Sequence, residues 1–149
     1  MTKHDAMKAY IEPKVIELVG NLLNFNYSED FTDTFAFITN YSDKVVKKYL
    51  RIGADKAYGF TIIITKGFST NADDLNIEAM NFAQAFMDWL EEKNMRREYP
   101  DFGEKCQIKR IENLQDMPNF AGVDMKNMVA RYMIQCRVVY FEKIGEMGR

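Results

Sequence analysis

The chain has 149 residues, of which 47% are hydrophobic and 28% are charged. A chain of this size and composition can bury a core of its own and belongs to neither the disordered nor the fibrous class. Its 20 basic and 22 acidic residues leave a formal net charge of -2, which supplies no global field for nucleic acid or an anionic membrane. We therefore expect one globular domain over residues 1–149, with any such contact confined to a local patch.

The N-terminal segment lacks the features of a secretion signal. Charged side chains interrupt it at Lys3, Asp5, Lys8 and Glu12, whereas a signal needs an unbroken apolar run. No later run approaches membrane-spanning length. We expect the protein to stay in the cytosol where it is made.

The first predicted elements are a helix and a loop. Apolar residues recur at helical spacing over residues 5–23, and Pro13 within them predicts either the start of the helix or a kink. Residues 24–33 are rich in Asn, Asp and Ser, a composition that competes with regular backbone pairing and indicates a loop.

Three strands follow over residues 34–39, 45–52 and 58–66, where β-branched and aromatic residues concentrate. Residues 53–56, with a glycine, join the second and third strands, which predicts an antiparallel hairpin. In the third strand the even positions are the apolar ones, and we expect this face to be buried: Tyr58, Phe60, Ile62 and Ile64.

The second half of the chain gives the clearest patterns. Residues 74–94 carry an apolar stripe at helical spacing, and its surplus width predicts that the helix contacts more than its own sheet. Two more strands are predicted, at 106–111 and 131–141, and in the second the buried face is predicted to be Tyr132, Ile134, Cys136, Val138 and Tyr140. Residues 115–126 are predicted to be a long loop that is disordered or contacts a partner.

These elements predict the α+β class. A helix, three strands, a helix and two strands fit an antiparallel or mixed sheet of about four to five strands, with two main helices packed on it. Cys106 and Cys136 fall in predicted strands, where a reduced compartment would leave them as small buried hydrophobes.

Catalytic chemistry has few candidates in this sequence. His4 is the only histidine, and a segment expected to fray is a poor place for the base of a Ser or Cys nucleophile. Paired metal-ligand spacings do not occur in the sequence. Asn71, Asp73, Asp74 and Asn76 could be imagined around calcium, but their position at a helix start fits capping better. We therefore expect no enzymatic activity, no cofactor and no metal.

The one basic cluster lies in the predicted hairpin, at Lys44, Lys47, Lys48, Arg51 and Lys56. Three interpretations remain open for it. It is a solvated hairpin, a docking arm for an acidic neighbouring subunit, or a contact with DNA in a central channel.

Three segments together resemble a known family. In order they are KKYLRIGADKAYGFTIIIT, MDWLEEKNMRREYPDFGE and ARYMIQCRVVYFEK, and they resemble the minor capsid or tail terminator proteins of tailed bacteriophages over residues 44–143. Trp89 followed by acidic residues, Pro100 and the closing strand occur in the same order as in that family.

The resemblance implies a terminator-like α+β fold and a hexameric ring on the last ring of the tail tube. Such a ring ends tube growth and offers the head-tail joining surface. The implied partners are other copies of the chain, the tail tube protein, the head-tail connector and, if the tail is contractile, the sheath protein. DNA would only pass through the ring channel, and no membrane or cofactor is implied. The implied location is the head-proximal end of the virion tail, after synthesis in the bacterial cytoplasm.

Eight residues are our interface candidates: Lys47, Lys48, Arg51, Lys56, Asp116, Asp124, Arg131 and Arg137. A head-tail connector or stopper, or a minor capsid protein, remains an alternative within the same class. A small cytosolic module that binds a peptide or a ligand is the alternative from another class. The sequence does not separate contractile tails, flexible tails and headless tail-like bacteriocins.

Overall fold

The computed structural model of the chain describes residues 2–19, 24–25, 34–67, 73–115, 119–124 and 129–143. Its two helices and six strands, in chain order, are α1 (Lys3–Val19), β1 (Asn24–Phe25), β2 (Thr34–Tyr49), β3 (Gly53–Gly67), α2 (Asp73–Met95), β4 (Cys106–Asn113), β5 (Asn119–Asp124) and β6 (Val129–Lys143). The predicted α+β class is confirmed, and the predicted span of the second helix agrees with α2 to within one residue at each end.

All six strands belong to one sheet, in the order β1-β2-β3-β6-β4. The pairs β2–β3, β3–β6 and β4–β6 are antiparallel, and only the two-residue β1 pairs in parallel, with β2. β5 also pairs with β6, through residues 129–133 of β6, whereas β4 pairs through residues 136–142. β4 and β5 therefore lie end to end along one side of β6.

One face of this sheet carries the core. Ile134, Cys136, Val138 and Tyr140 of β6 are fully buried and Tyr132 is 5% exposed, which confirms the predicted alternation. Their cross-strand partners on β3 are the even positions that the sequence indicated, since Phe60 pairs with Cys136 and Ile62 with Ile134. Burying large apolar side chains at roughly 1.5–3 kcal/mol each makes this face a main source of stability.

The two helices cover that face together. Met7, Ile11 and Val15 of α1 and Phe86 and Leu90 of α2 are fully buried in the same cluster. The Trp89 ring of α2 lies 5.6 Å from the Tyr10 ring of α1. Much of the apolar surface of α2 beyond its sheet-facing stripe is therefore covered within the molecule, because α1 packs beside it.

Pro13 does not start α1, which begins ten residues earlier at Lys3 and continues past the proline. The Pro13 side chain is exposed, so the helix accommodates it on the solvent side. His4 lies within α1 as well, so the expectation of a frayed segment around it is wrong. Of the predicted loop at 24–33, residues 24–25 form β1 and the rest lies outside the described residues.

β2 is a single strand of 16 residues where the sequence predicted two. Its pairing with β3 shifts register three times between Thr39 and Lys47, and such bulges allow polar residues to remain in a continuous strand. The hairpin is confirmed, but its turn lies at residues 50–52, and Gly53 is already the first residue of β3. Arg51 has a φ of 65° in that turn.

The predicted loop at 115–126 contains β5 and is therefore not an unstructured loop. Phe120 pairs with Tyr132 and Val123 with Ala130, with a bulge between Phe120 and Gly122. The segment contains residues that are typical of turns, so its composition predicted a loop and not a strand.

Candidate assembly surfaces

The basic residues of the hairpin do not form one cluster. Cross-strand partners share a face of a sheet, and Lys47 pairs with Asp55, whereas Lys48 pairs with Ala54 and Lys56 pairs with Tyr140. Lys47 therefore lies on the open face, and Lys48 and Lys56 lie on the helix-bearing face. The hairpin is also no free arm, because β3 pairs with β6 as far as Gly53 and Lys143.

The other interface candidates are distributed over the sheet. Arg131 and Arg137 lie on the open face of β6, and both are half-buried. Arg137 Nε is 2.6 Å from Glu112 Oε1 of β4, so this guanidinium is held by the sheet itself. Asp124 is the last residue of β5, with its side chain outside the described residues, and Asp116 lies outside them entirely.

The open face also carries a polar group of side chains at the hairpin end. Asp55 Oδ2 accepts hydrogen bonds from the Tyr49 hydroxyl and from Lys109 Nζ, each at 2.8 Å. Burial acts to raise the pKa of Asp55, but these two donors outweigh it and lower the pKa. Asp55 Oδ1 is buried and has no hydrogen-bond partner among the described residues.

A second polar group, the junction cluster, lies where α1 begins and comprises Lys3, Asp43, Lys56, Tyr140 and Glu142. Lys3 Nζ is 3.0 Å from Asp43 Oδ1 and 3.1 Å from Glu142 Oε2. Lys56 Nζ is 2.6 Å from Glu142 Oε1. The Tyr140 hydroxyl donates to Asp43 Oδ1. These contacts connect the start of α1 to β2, β3 and β6.

The pKa shifts in the junction cluster follow from these contacts. Burial alone would raise the pKa of Asp43 and Glu142. Hydrogen bonds from Tyr140 and Lys3 lower the pKa of Asp43 instead, and hydrogen bonds from Lys56, Lys3 and Cys106 lower that of Glu142. Burial would lower the pKa of Lys3, and its two carboxylate partners raise it instead. Asp43 has a φ of 57°, an uncommon backbone conformation that directs its carboxylate into the cluster.

Cys106 and His4 border this cluster. Cys106 Sγ donates to Glu142 Oε2 at 3.3 Å, and burial together with that carboxylate raises the pKa of the thiol to about 11. The second thiol, Cys136, is fully buried, and both thiols are free. His4 Nδ1 is 2.7 Å from the Tyr58 hydroxyl. The arrangement ties α1 to the sheet, and the raised pKa of Cys106 disfavours its thiolate form at neutral pH.

In the described part of the chain, no three His, Cys, Asp or Glu side chains converge as metal ligands would. Neither described helix is long and apolar enough to cross a membrane.

An exposed apolar group at the hairpin end, which we call the apolar tip, was not predicted from the sequence. Of the seven large hydrophobic side chains that are exposed in the described part of the chain, four lie within eight residues there: Val45 (46% exposed), Val46 (52%), Leu50 (89%) and Ile52 (58%). Large exposed apolar groups of this kind mark contact surfaces more often than single exposed residues do. The signal in the sequence was the apolar doublet Val45-Val46, together with two apolar residues in the turn.

A concave surface, the helix groove, lies on the helix side of the molecule. It consists of two clefts of about 370 and 270 Å³ that share Ala9 and Tyr10 of α1. Trp89 of α2 contributes to the first cleft, and Tyr99 and Pro100 contribute to the second. Glu17 and Asp101 are exposed at its two ends.

Fold and surfaces define a small α+β protein with one sheet, helices on one face, side chains joined in ion pairs, and an exposed apolar hairpin end. Comparison with protein-family models and with curated proteins gave no match. Among solved structures, the fold is similar to that of a chain in a structure described as the virion of a native gene transfer agent particle. The TM-score is 0.56 with 13% identity, over 91% of this chain and 90% of that chain. At this identity the similarity concerns the fold.

Proposed function

We propose that this protein is a structural component of a phage-like particle and serves as its tail terminator. Copies of the chain form a ring, hexameric by the family resemblance, on the last ring of the tail tube. The ring stops tube growth and presents the head-tail joining surface. A closed ring of this kind requires two different surfaces on each copy that meet head to tail.

One observation carries the proposal. The likeness to a chain of the gene transfer agent virion spans 91% of this protein, so it concerns the whole arrangement of sheet and helices and not one common motif. The sequence resemblance to tail terminators covers residues 44–143 and points to the same class of protein independently of that likeness. The exposed apolar tip further supports a role in assembly.

The proposed role is non-catalytic. The charged side chains that the fold brings together are used in structural pairs, as Lys3 with Glu142 and Arg137 with Glu112 illustrate. The clefts described above are open and reach only about 370 Å³, near the lower end of the range of about 300–1,000 Å³ for ligand pockets. The alternative of a ligand-binding module therefore has less support.

The test is to disrupt the gene in its host and to examine the particles that the host releases. Mass spectrometry of purified wild-type particles should detect the chain as a virion protein. Electron microscopy of the disrupted strain should reveal tails longer than normal and heads without tails. Complementation with the wild-type gene should restore tails of normal length.

Each part of the proposal has its own contradicting outcome. Absence of the chain from purified particles would refute a structural role in the virion. If wild-type particles contain the chain but the disrupted strain still makes tails of normal length, the terminator role is refuted. If those tails were also detached from their heads, a connector or stopper would be the better assignment.

A further inference from the structure

We propose that the apolar tip of one copy docks into the helix groove of a second copy of this chain. This head-to-tail contact rests on the proposed function in one respect, since it would close the proposed ring. The groove that accepts the tip is apolar in its lining and carries an exposed carboxylate, Asp101, at one end, and the tip presents apolar side chains flanked by cations.

The apolar tip has the composition of an interface centre. Leu50 is 89% exposed and Ile52 is 58% exposed, and removing such large apolar side chains from water favours association. Lys48 and Arg51 flank them and are exposed. Within the described ranges, neither of these two cations has a carboxylate partner, so their charge is available to an acidic neighbour.

The helix groove has the complementary composition. Ala9, Tyr10, Trp89 and Pro100 give it an apolar lining. Two ion pairs at the groove balance their own charges, since Lys14 lies 3.2 Å from Glu17 and Lys93 lies 3.6 Å from Glu98. The exposed Asp101 lines the second cleft and has no ion-pair partner among the described residues, so it supplies the negative charge that a cation on the tip would meet.

The contact has to be between molecules. Lys3 at the start of α1 contacts Asp43, and from Asp43 to Leu50 the hairpin runs seven residues further, about 23 Å at the rise of an extended strand. β2 stays paired with β3 to the last pair, Tyr49 with Gly53, so the hairpin cannot fold back. Tip-to-groove contacts that repeat head to tail from one copy to the next are heterologous, and such contacts generate rings when the rotation closes.

Cross-linking between two different single variants tests the contact. Leu50→Cys places a thiol on the apolar tip, and Ala9→Cys places one in the groove, where Ala9 is exposed. Ile16→Cys is the matched control, because Ile16 is also exposed on α1, at 43%, and lines neither cleft. Purified variants are mixed at roughly 1 mM, above the Kd of even a weak contact, and treated with a short bismaleimide.

The expected result is a cross-linked dimer from the mixture of Leu50→Cys with Ala9→Cys, several-fold more abundant than from Leu50→Cys with Ile16→Cys. Neither variant alone should cross-link, because each carries an introduced thiol on only one of the two surfaces that meet. Equal yields in the two mixtures would overturn the proposal, as would efficient cross-linking of Leu50→Cys with itself, which indicates a tip-to-tip contact. Because this assay uses purified protein, its failure is distinguishable from a failure of the particle experiment above.

Discussion

The Tyr140 hydroxyl of β6 donates a hydrogen bond to the Asp43 carboxylate of β2, although β3 lies between these two strands. The register of β2 shifts between Tyr41 and Lys44, and Asp43 has a φ of 57°, so the strand departs from regular geometry at the residue that supplies the acceptor. The bond connects β2 to β6 through side chains, in addition to the backbone ladder that joins each of them to β3.

Tyr140→Phe should therefore destabilise the protein by about 1–2 kcal/mol, since it removes a hydrogen bond to a charged acceptor that is partly solvated. Tyr10→Phe is the control. It removes a hydrogen bond to a neutral backbone acceptor, the Glu98 carbonyl, and should cost about 0.5–1 kcal/mol. Urea unfolding of the three proteins measures the difference, and an equal loss in both variants would contradict the role given to the Asp43 bond.

The junction cluster also predicts how stability changes with pH. The pKa values of Asp43 and Glu142 are held below their ordinary values of 3.8 and 4.5. A group whose pKa is lowered by folding contributes its full stability above the pKa that it has in the unfolded chain. That contribution is lost as the pH falls through the pKa that the group has in the folded protein. The pKa of Lys3 is raised above 10.5, so its contribution is complete below that value and is lost as the pH rises through the folded pKa.

The measurement is the urea midpoint as a function of pH. Between about pH 6 and about pH 3, where carboxyl groups titrate, Glu142→Gln should lose less stability than the wild type. Glu104→Gln, which alters an exposed carboxylate without an ion pair in the described part of the chain, should follow the wild-type curve. Parallel curves for all three proteins would count against the cluster.

Two glycines of β3 should respond differently to alanine. At Gly53 a Cβ would lie 2.2 Å from the backbone oxygen of Glu142, whereas at Gly59 it would lie 2.4 Å from the ring of Tyr41. The Tyr41 side chain can move, whereas the paired backbone at Glu142 cannot. Gly53→Ala should therefore lower the free energy of unfolding by about 1–3 kcal/mol, and Gly59→Ala should lower it by less. Tyr41→Ala should restore part of the stability of Gly59→Ala and none of that of Gly53→Ala, as urea unfolding of the double variants would measure.

Neither thiol should react readily in the native protein. The pKa of Cys106 is raised from the ordinary 9.0 to about 11, which reduces its thiolate fraction near pH 8 about 100-fold. Labelling with a chromogenic disulfide reagent should therefore be slow for the native chain and fast for both thiols in urea. Glu142→Gln removes the anion beside Cys106 and should accelerate native labelling. Rapid modification of one thiol per native wild-type chain would be inconsistent with the described site.

The core face of β6 predicts a contrast between neighbouring positions. Ile134 is fully buried, so Ile134→Ala should destabilise the protein by about 2–5 kcal/mol. Gln135 is exposed on the opposite face, and Gln135→Ala should change stability by less than about 0.5 kcal/mol. Thermal or urea unfolding of the pair tests the assignment of faces.

Sequence periodicity predicted α2 and the faces of β3 and β6 because their apolar side chains repeat along a single element. It predicted two strands in place of β2, because bulges between Thr39 and Lys47 break the alternation of apolar and polar side chains. β5 was not predicted because its residues are typical of a turn, and because it forms a strand by pairing with β6. Local patterns contain no information on such long-range pairing.

The candidate site was less predictable than the fold. The sequence placed the basic residues in the hairpin correctly, but only the register separates Lys47 from Lys48 and Lys56. Lys3 contacts a carboxylate 139 residues away in the chain, which no spacing rule anticipates. The apolar tip could have been inferred from Val45-Val46, but their exposure depends on the turn position that the structure provides.

The pairing of β3 with β6 has a consequence for synthesis. Gly53 pairs with Lys143 and Gly67 with Val129, so the centre of the sheet cannot form on the ribosome before β6 has been translated. Until then one edge of β3 in the nascent chain is unpaired, and Ile62 lacks its cross-strand partner Ile134. Unpaired strand edges and exposed apolar surface make such intermediates prone to aggregate, and this hazard lasts until β6 emerges from the exit tunnel.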